Sequence, residues 1–138
     1  MCIDVEPDSR TPDPSAAVEW KGAEQLLDDH EWLRVRIGGQ ALNWYLRFDH
    51  QVEHLHGDIC WPAERFAGGL DALLHVGDEL GVHPHNWRWT GEGWLPDGNT
   101  DWVVENAERA LDAYASVFGT GPKSFRYGDR FLSDEVVR

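Results

Sequence analysis

Two histidines separated by a single residue, His83 and His85, are the side chains of this sequence best suited to bind a metal ion. Pro84 between them disfavours a helical backbone at His83, and in an extended segment residues i and i+2 point to the same side. Neutral imidazoles so placed suit zinc, iron, cobalt or nickel, and a carboxylate as third ligand leaves one coordination position open for water. The alternative interpretation is a pair of solvated loop histidines.

Acidic side chains lie where the first apolar segment ends, after Cys2 to Val5. In an extended backbone Asp4 and Glu6 share one face, and Asp8 follows within reach. One of these carboxylates could bind the metal while another acts as a general base. The sequence leaves open whether Glu6 or Asp8 is the ligand, and a solvated acidic loop is the alternative.

A second group of histidines, His50, His54 and His56, would place two imidazoles together if the segment were helical. Its apolar positions are too few to define a helix face, so we predict a solvated polar loop there.

Three tryptophans, Trp87, Trp89 and Trp94, crowd the segment that follows the histidine pair. Aromatic faces pack on sugars as well as on protein, and we expect one of the three to stack on a sugar.

Arg126 is the candidate cation near the end of the chain. A guanidinium can orient a carboxylate through a bidentate pair, although a structural salt bridge is the alternative.

Seven elements are predicted to position these residues. Hydrophobic spacing, caps and breakers give a strand over 2–5, a helix over 19–35, a strand over 42–48, a helix over 62–77, a strand over 79–82, a helix capped by Asn99 or Thr100 that runs to Phe118, and a strand over 124–127. Ser133 or Asp134 could cap a further helix.

Alternating strands and helices predict an α/β fold with a parallel sheet. In such folds functional residues collect at the carboxyl ends of the strands. The candidate residues all fall at predicted strand ends: Asp4, Glu6, Asp49, His83, His85 and Arg126.

Three segments resemble motifs of the polysaccharide deacetylase family, also known as the NodB-homology or carbohydrate esterase family. CIDVEPD resembles its aspartate-rich first motif, DELGVHPHNW its histidine motif, and SFRYGDRF its arginine-containing third motif. The resemblance implies a barrel of parallel strands and outer helices, of which residues 1–138 would form a partial domain with the first four β/α units.

The resemblance also implies an activity, the metal-dependent hydrolysis of N-acetyl or related acyl groups on a carbohydrate. Asp4 would be the catalytic base, oriented by Arg126, and Glu6, His83 and His85 would hold a divalent metal, with zinc expected before cobalt, nickel or iron. We expect the substrate, a small saccharide or a polysaccharide, to contact Asp49, Trp87 and Tyr127. The alternatives are a non-catalytic carbohydrate- or metal-binding remnant and an inactive fragment.

The composition of the chain narrows the range of partners that it is expected to bind. The formal charge is -13, so nucleic acid and anionic membranes should be repelled. Cys2 and Cys60 have no metal-like spacing and are expected to be ordinary thiols. The N-terminal segment MCIDVEPDSR predicts no secretory signal, and no run is long enough to span a membrane, so a cytoplasmic protein is expected. An open sheet edge would favour self-association.

Overall fold

The computed structural model describes residues 1–130, and a parallel sheet lies at its centre. Its three strands are β1 (Cys2–Val5), β2 (Asn43–Leu46) and β3 (Glu79–Val82), in that spatial order. The register places Asp4 beside Tyr45 and Tyr45 beside Gly81. Because the strands are parallel, their carboxyl ends lie at the same edge of the sheet, where the segments after Val5 and Val82 begin.

Within residues 1–130, six helices and a hairpin accompany this sheet. The helices are α1 (Lys21–Asp28), α2 (His30–Arg36), α3 (His50–His56), α4 (Trp61–Arg65), α5 (Ala67–His75) and α6 (Thr100–Phe118). The hairpin pairs β4 (Trp87–Trp89) with β5 (Trp94–Pro96) in antiparallel fashion. A short 3-10 turn, Gly128–Arg130, ends the described part of the chain.

The core forms because β2 is apolar along nearly its whole length, as expected for a strand covered on both faces. Trp44 and Leu46 are fully buried in it. The long helix α6 contributes a buried stripe that includes Val103, Ala110 and Tyr114. Asn99 caps this helix by accepting a hydrogen bond from the Trp102 N–H, so the capping residue is Asn99 and not Thr100.

The prediction of a parallel-strand barrel is wrong. Within residues 1–130 the parallel sheet is open, the hairpin is a separate antiparallel sheet, and no barrel closes. The strand predicted over 124–127 is reduced to one parallel bridge between Val82 and Phe125. Only two backbone hydrogen bonds hold it, from Val82 N–H to Ser124 O and from Arg126 N–H to Val82 O.

Several helix predictions also need correction. The helix predicted over 19–35 is two helices that meet at Asp29, and the helix predicted over 62–77 is divided at Phe66. The predicted loop around the histidines is α3, because Asp49 caps its first turn and Gly57 ends it with a φ of 80°. The predicted loop after the histidine pair is the β4–β5 hairpin, and the C-terminal helix at Ser133 or Asp134 lies outside the described residues.

None of the helices within residues 1–130 is both long enough and apolar enough to cross a membrane.

Candidate metal centre

Three side chains meet at the carboxyl edge of the sheet in an arrangement that can hold a metal ion. Glu6 follows β1, and His83 and His85 follow β3. The Nε2 atoms of the two imidazoles are 3.1 Å apart, and Glu6 Oε2 lies 3.4 Å from His85 Nε2. One ligand atom from each residue lies within 4.8 Å of the others. These are the three residues that the sequence analysis named as metal ligands, and the structure brings them together in a group that could hold a metal ion.

His83 is oriented by the backbone of the segment that bridges to β3. Its Nδ1 lies 3.2 Å from the carbonyl oxygen of Arg126, and the side chain is buried. A carbonyl can only accept, so Nδ1 carries the proton and Nε2 keeps its lone pair. Hydrogen bonding at the far nitrogen is the usual way in which proteins fix a histidine ligand.

His85 has two neighbours at Nδ1, Asp129 Oδ2 and Trp87 Nε1, both at 3.1 Å. A proton on Nδ1 is donated to Asp129 and leaves Nε2 free for a metal. A proton on Nε2 instead lets Nδ1 accept from the Trp87 indole. Metal binding would select the first tautomer, in which Asp129, His85 and the ion form a carboxylate–histidine–metal series.

The electrostatics suit a cation. Burial lowers the pKa of His83 to about 3, and burial also lowers the pKa of His85, so both imidazoles are neutral near pH 7. A hydrogen bond with His85 lowers the pKa of Glu6 and keeps its carboxylate ionised. Two neutral nitrogens and one anionic oxygen match the donor set of catalytic zinc sites.

Asp4 and Arg126 lie beside this group, as predicted. Asp4 Oδ2 is 3.8 Å from His83 Nε2, and Asp4 Oδ1 is 3.2 Å from Arg126 Nη1. This ion pair has no aligned hydrogen bond, since Asp4 Oδ1 is buried without a hydrogen-bond partner. Burial raises the pKa of Asp4, and the charge of Arg126 opposes that rise.

Asp8, the rival of Glu6, lies elsewhere. Its carboxylate accepts hydrogen bonds from the backbone N–H groups of Lys21 and Gly22, at 3.1 and 2.8 Å, in the first turn of α1. Asp8 therefore serves the exposed amino end of a helix, and Glu6 is the carboxylate that lies beside the histidines.

Two of the three residues predicted to contact substrate are fully engaged in the protein. The buried carboxylate of Asp49 accepts hydrogen bonds from the Arg47 guanidinium and from the backbone N–H groups of Val52 and His85. The Tyr127 hydroxyl donates to Val103 O and accepts from Asn106, and burial raises its pKa to about 12. Through these contacts Asp49 binds the backbone N–H of His85, and Tyr127 contacts Asn106, which donates to the His85 carbonyl oxygen.

Trp87, the third of these residues, is partly exposed at the mouth of the site. Its indole nitrogen contacts His85, and the guanidinium of Arg10 lies 5.8 Å from its ring centroid. Arg10 also pairs with Asp129, which joins the loop after β1 to the segment after the bridge.

Sequence reasoning missed two residues of the site, Asp129, which contacts His85, and Arg47. Arg47 is 1% exposed, and its Nη1 lies 3.6 Å from Glu6 Oε2. Its other nitrogens bind Asp49 and Gln51. Its pairing with Asp49 could have been inferred, since the two residues flank Phe48 at the end of β2, but its contact with Glu6 has no local signal. Burial acts to raise the pKa of Asp49, but the charge and hydrogen bonds of Arg47, together with the contacts of His85, hold that pKa below its usual value.

No family model matches the sequence, and neither the curated proteins nor the solved structures include one with significant similarity to it.

Proposed function

We propose that this protein is a metal-dependent hydrolase that removes N-acetyl or related acyl groups from a carbohydrate, as the polysaccharide deacetylase family does. One observation carries the proposal. A carboxylate with a raised pKa, Asp4, lies next to a group that can hold a metal, Glu6, His83 and His85. A base beside an electrophilic centre is the arrangement that metal-assisted amide hydrolysis needs.

Zinc is the proposed metal because two imidazoles and a carboxylate are the ligands it prefers in hydrolases. Bound by Glu6, His83 and His85, it would act as a Lewis acid that polarises the amide carbonyl. The hydrogen bond with His85 lowers the pKa of Glu6, and the charge of Arg47, 3.6 Å away, lowers it further.

Asp4 is proposed as the general base. Its Oδ1 faces Arg126, and its Oδ2 faces His83, so Oδ2 is the oxygen able to take a proton from the attacking water. Burial raises the pKa of Asp4, which makes the carboxylate a better proton acceptor than an exposed aspartate. Arg126 is a positioning residue that holds the carboxylate through Oδ1.

The first test measures metal binding. Zinc and cobalt are titrated into metal-free protein, and the parent is compared with His83→Ala and His85→Ala. The matched control is His75→Ala, since His75 is an exposed residue at the end of α5. We expect about one ion per folded chain in the parent and the control, with binding lost in both site variants. Equal binding by all four proteins would overturn the assignment.

The second test measures acetate release from N-acetylglucosamine oligomers by the zinc-loaded protein. Asp4→Asn should lower the rate by about 10²–10⁴-fold, the usual contribution of a general base, while it keeps bound zinc. Asp28→Asn, at an exposed position of α1, should leave the rate unchanged. Zinc binding by a folded chain without any acetate release would favour the non-catalytic metal-binding alternative.

A further inference from the structure

A cleft of about 410 Å³ opens between the β4–β5 hairpin and the loop that follows β1. Its walls include Pro12, Asp13, Trp89, Glu92 and Trp94. This volume lies in the range of small-molecule sites in proteins, which is roughly 300–1,000 Å³.

The walls of the cleft are joined to each other by specific contacts. The Trp94 indole N–H donates to Pro12 O at 2.8 Å, which ties the loop to the hairpin. The rings of Trp89 and Trp94 pack with centroids 5.2 Å apart. Thr90 closes the hairpin turn by hydrogen bonding to Gly93 O through both its backbone N–H and its hydroxyl. The cleft is therefore formed before any ligand arrives.

The position of the cleft relates it to the metal centre. Trp87 and Trp89 lie two residues apart in β4, so their side chains leave the same face about 6.5–7 Å from each other. Trp87 contacts His85, and Trp89 lines the cleft. Arg10, which pairs with Asp129 at the centre, is followed by the loop residues that form the opposite wall.

The chemistry of the lining favours a hydroxyl-rich, uncharged ring. Trp89 packs against His54 as well as Trp94, yet it stays partly exposed, and the part of its ring that lines the cleft can contact sugar C–H groups. Asp13 and Glu92 offer exposed carboxylate oxygens as acceptors for hydroxyl groups. Asp13 Oδ1 already accepts from Ser15, so its second oxygen is the one available. The lining residues described for this cleft include no lysine or arginine, so an anionic ring would be repelled by Asp13 and Glu92.

We propose that this cleft is a saccharide subsite that holds the neutral sugar ring next to the acyl-bearing unit of the substrate. The proposal rests on the proposed function for its choice of a carbohydrate chain, and it adds where that chain lies and which residue it stacks on. Trp89 is the stacking residue, and Asp13 and Glu92 bind hydroxyl groups at the rim.

Calorimetric titration of metal-free protein with N-acetylglucosamine trimer tests the subsite apart from hydrolysis. Trp89→Ala should weaken binding roughly tenfold or more, because it removes the stacking surface. The control is Trp32→Ala, since Trp32 is 58% exposed on α2 and takes no part in the cleft. Galacturonic acid trimer, the anionic probe, should bind more weakly than the neutral trimer, and Glu92→Gln together with Asp13→Asn should narrow that difference.

The outcomes separate the two proposals. Trimer binding that is lost in Trp89→Ala but never followed by acetate release with zinc would support the subsite and contradict the hydrolase. If Trp89→Ala releases acetate with the kcat and KM of the parent, the subsite is contradicted and the hydrolase proposal stands. Equal trimer affinity in the parent, Trp89→Ala and Trp32→Ala, or no binding by the folded parent, would overturn the subsite. Circular dichroism checks that Trp89→Ala still folds, and Trp89→Phe, which keeps an aromatic face, should restore most of the affinity.

Discussion

Asp129 orients a candidate metal ligand without touching the metal position itself. Its carboxylate lies 3.1 Å from His85 Nδ1, and removing such a partner commonly lowers metal affinity by about 10–100-fold. We expect Asp129→Asn to weaken zinc binding by this factor in a competition titration. Asparagine tolerates the left-handed backbone at this position, where φ is 54°, so the turn itself should survive.

A matched variant separates this effect from a general loss of charge. Asp112 is an exposed residue of α6, and Asp112→Asn removes one carboxylate from the surface of that helix. Its zinc affinity should equal that of the parent. If both variants bind zinc equally well, then Asp129 has no orienting role and the Trp87 indole alone sets the position of the ring.

Sequence reasoning could place part of this site, and the reason lies in spacing. His83 and His85 alternate within one extended segment, so their shared side follows from strand geometry. Arg47 and Asp129 could not be placed in this way, because their contacts with Glu6 and His85 join segments far apart in sequence. Such contacts depend on how the loops after the strands turn, and no local pattern fixes that.

The helix α3 carries a contact that should make the stability of the protein depend on pH. His56 stacks on Trp61 with centroids 3.8 Å apart, and its Nε2 accepts a hydrogen bond from the Trp20 indole. Burial lowers the pKa of His56 below the ordinary value of 6.5. Above pH 6.5 both folded and unfolded states are neutral, so His56 contributes no pH dependence there.

Below pH 6.5 the unfolded state takes up the proton first, so the folded state loses stability as the pH falls toward the folded pKa. The free energy of unfolding, measured with urea, should fall less between about pH 7.5 and about pH 5.5 in His56→Gln than in the parent. The reason is that glutamine keeps an acceptor for Trp20 but does not titrate. His75→Gln, at an exposed site, should behave as the parent does. An identical pH dependence in all three proteins would show that His56 titrates alike in both states.

A second prediction concerns how α2 is joined to the sheet. The buried carboxylate of Asp78 accepts hydrogen bonds from the Arg34 guanidinium, the Leu42 backbone N–H and the Trp44 indole. Asp78→Asn replaces one acceptor oxygen with a donor and leaves a buried N–H without a partner. We expect a loss of about 1–3 kcal/mol in the free energy of unfolding, measured with urea. Asp71→Asn, an exposed change on α5, should lower the free energy of unfolding far less. Equal losses in the two variants would contradict a stabilising role for the hydrogen bonds to Asp78.

The elements differ in how far sequence could predict them. Helix α6 was predicted correctly because its apolar stripe is long and has a cap at each end, Asn99 and Gly119. Helix α3 was missed because it buries only Gln51 and Val52, so its caps were the only signal. The division at Asp29 was also missed, since apolar spacing continues across it while the backbone leaves the helical conformation.

At the scale of the whole molecule, the sequence predicted parallel strands correctly, whereas the closed barrel that the resemblance implied is wrong. Strands β1, β2 and β3 lie side by side in chain order and in parallel, as alternating strands and helices suggest. Closure requires continued pairing at the edges, and beside β3 the described chain offers only the bridge from Val82 to Phe125. Gly81 shows how close this approach is, since a Cβ placed there would lie 2.8 Å from Ser124 O.

The candidate metal centre takes its residues from the ends of two strands, β1 and β3, that do not pair with each other, so metal binding should stabilise the whole fold. Glu6 follows one strand, and His83 and His85 follow another, and Nδ1 of His83 bonds to the Arg126 carbonyl beyond the bridge. An ion that binds only the folded state adds about 2.7 kcal/mol at a concentration of about 100 times Kd. For a chain of 138 residues this corresponds to a rise in Tm of roughly 5–10 °C. Calorimetry with and without zinc should show this rise in the parent and in His75→Ala, and its absence in His83→Ala. A rise in Tm of the same size in His83→Ala would mean that zinc binds and stabilises the protein at another site, and the prediction for the candidate centre would be wrong.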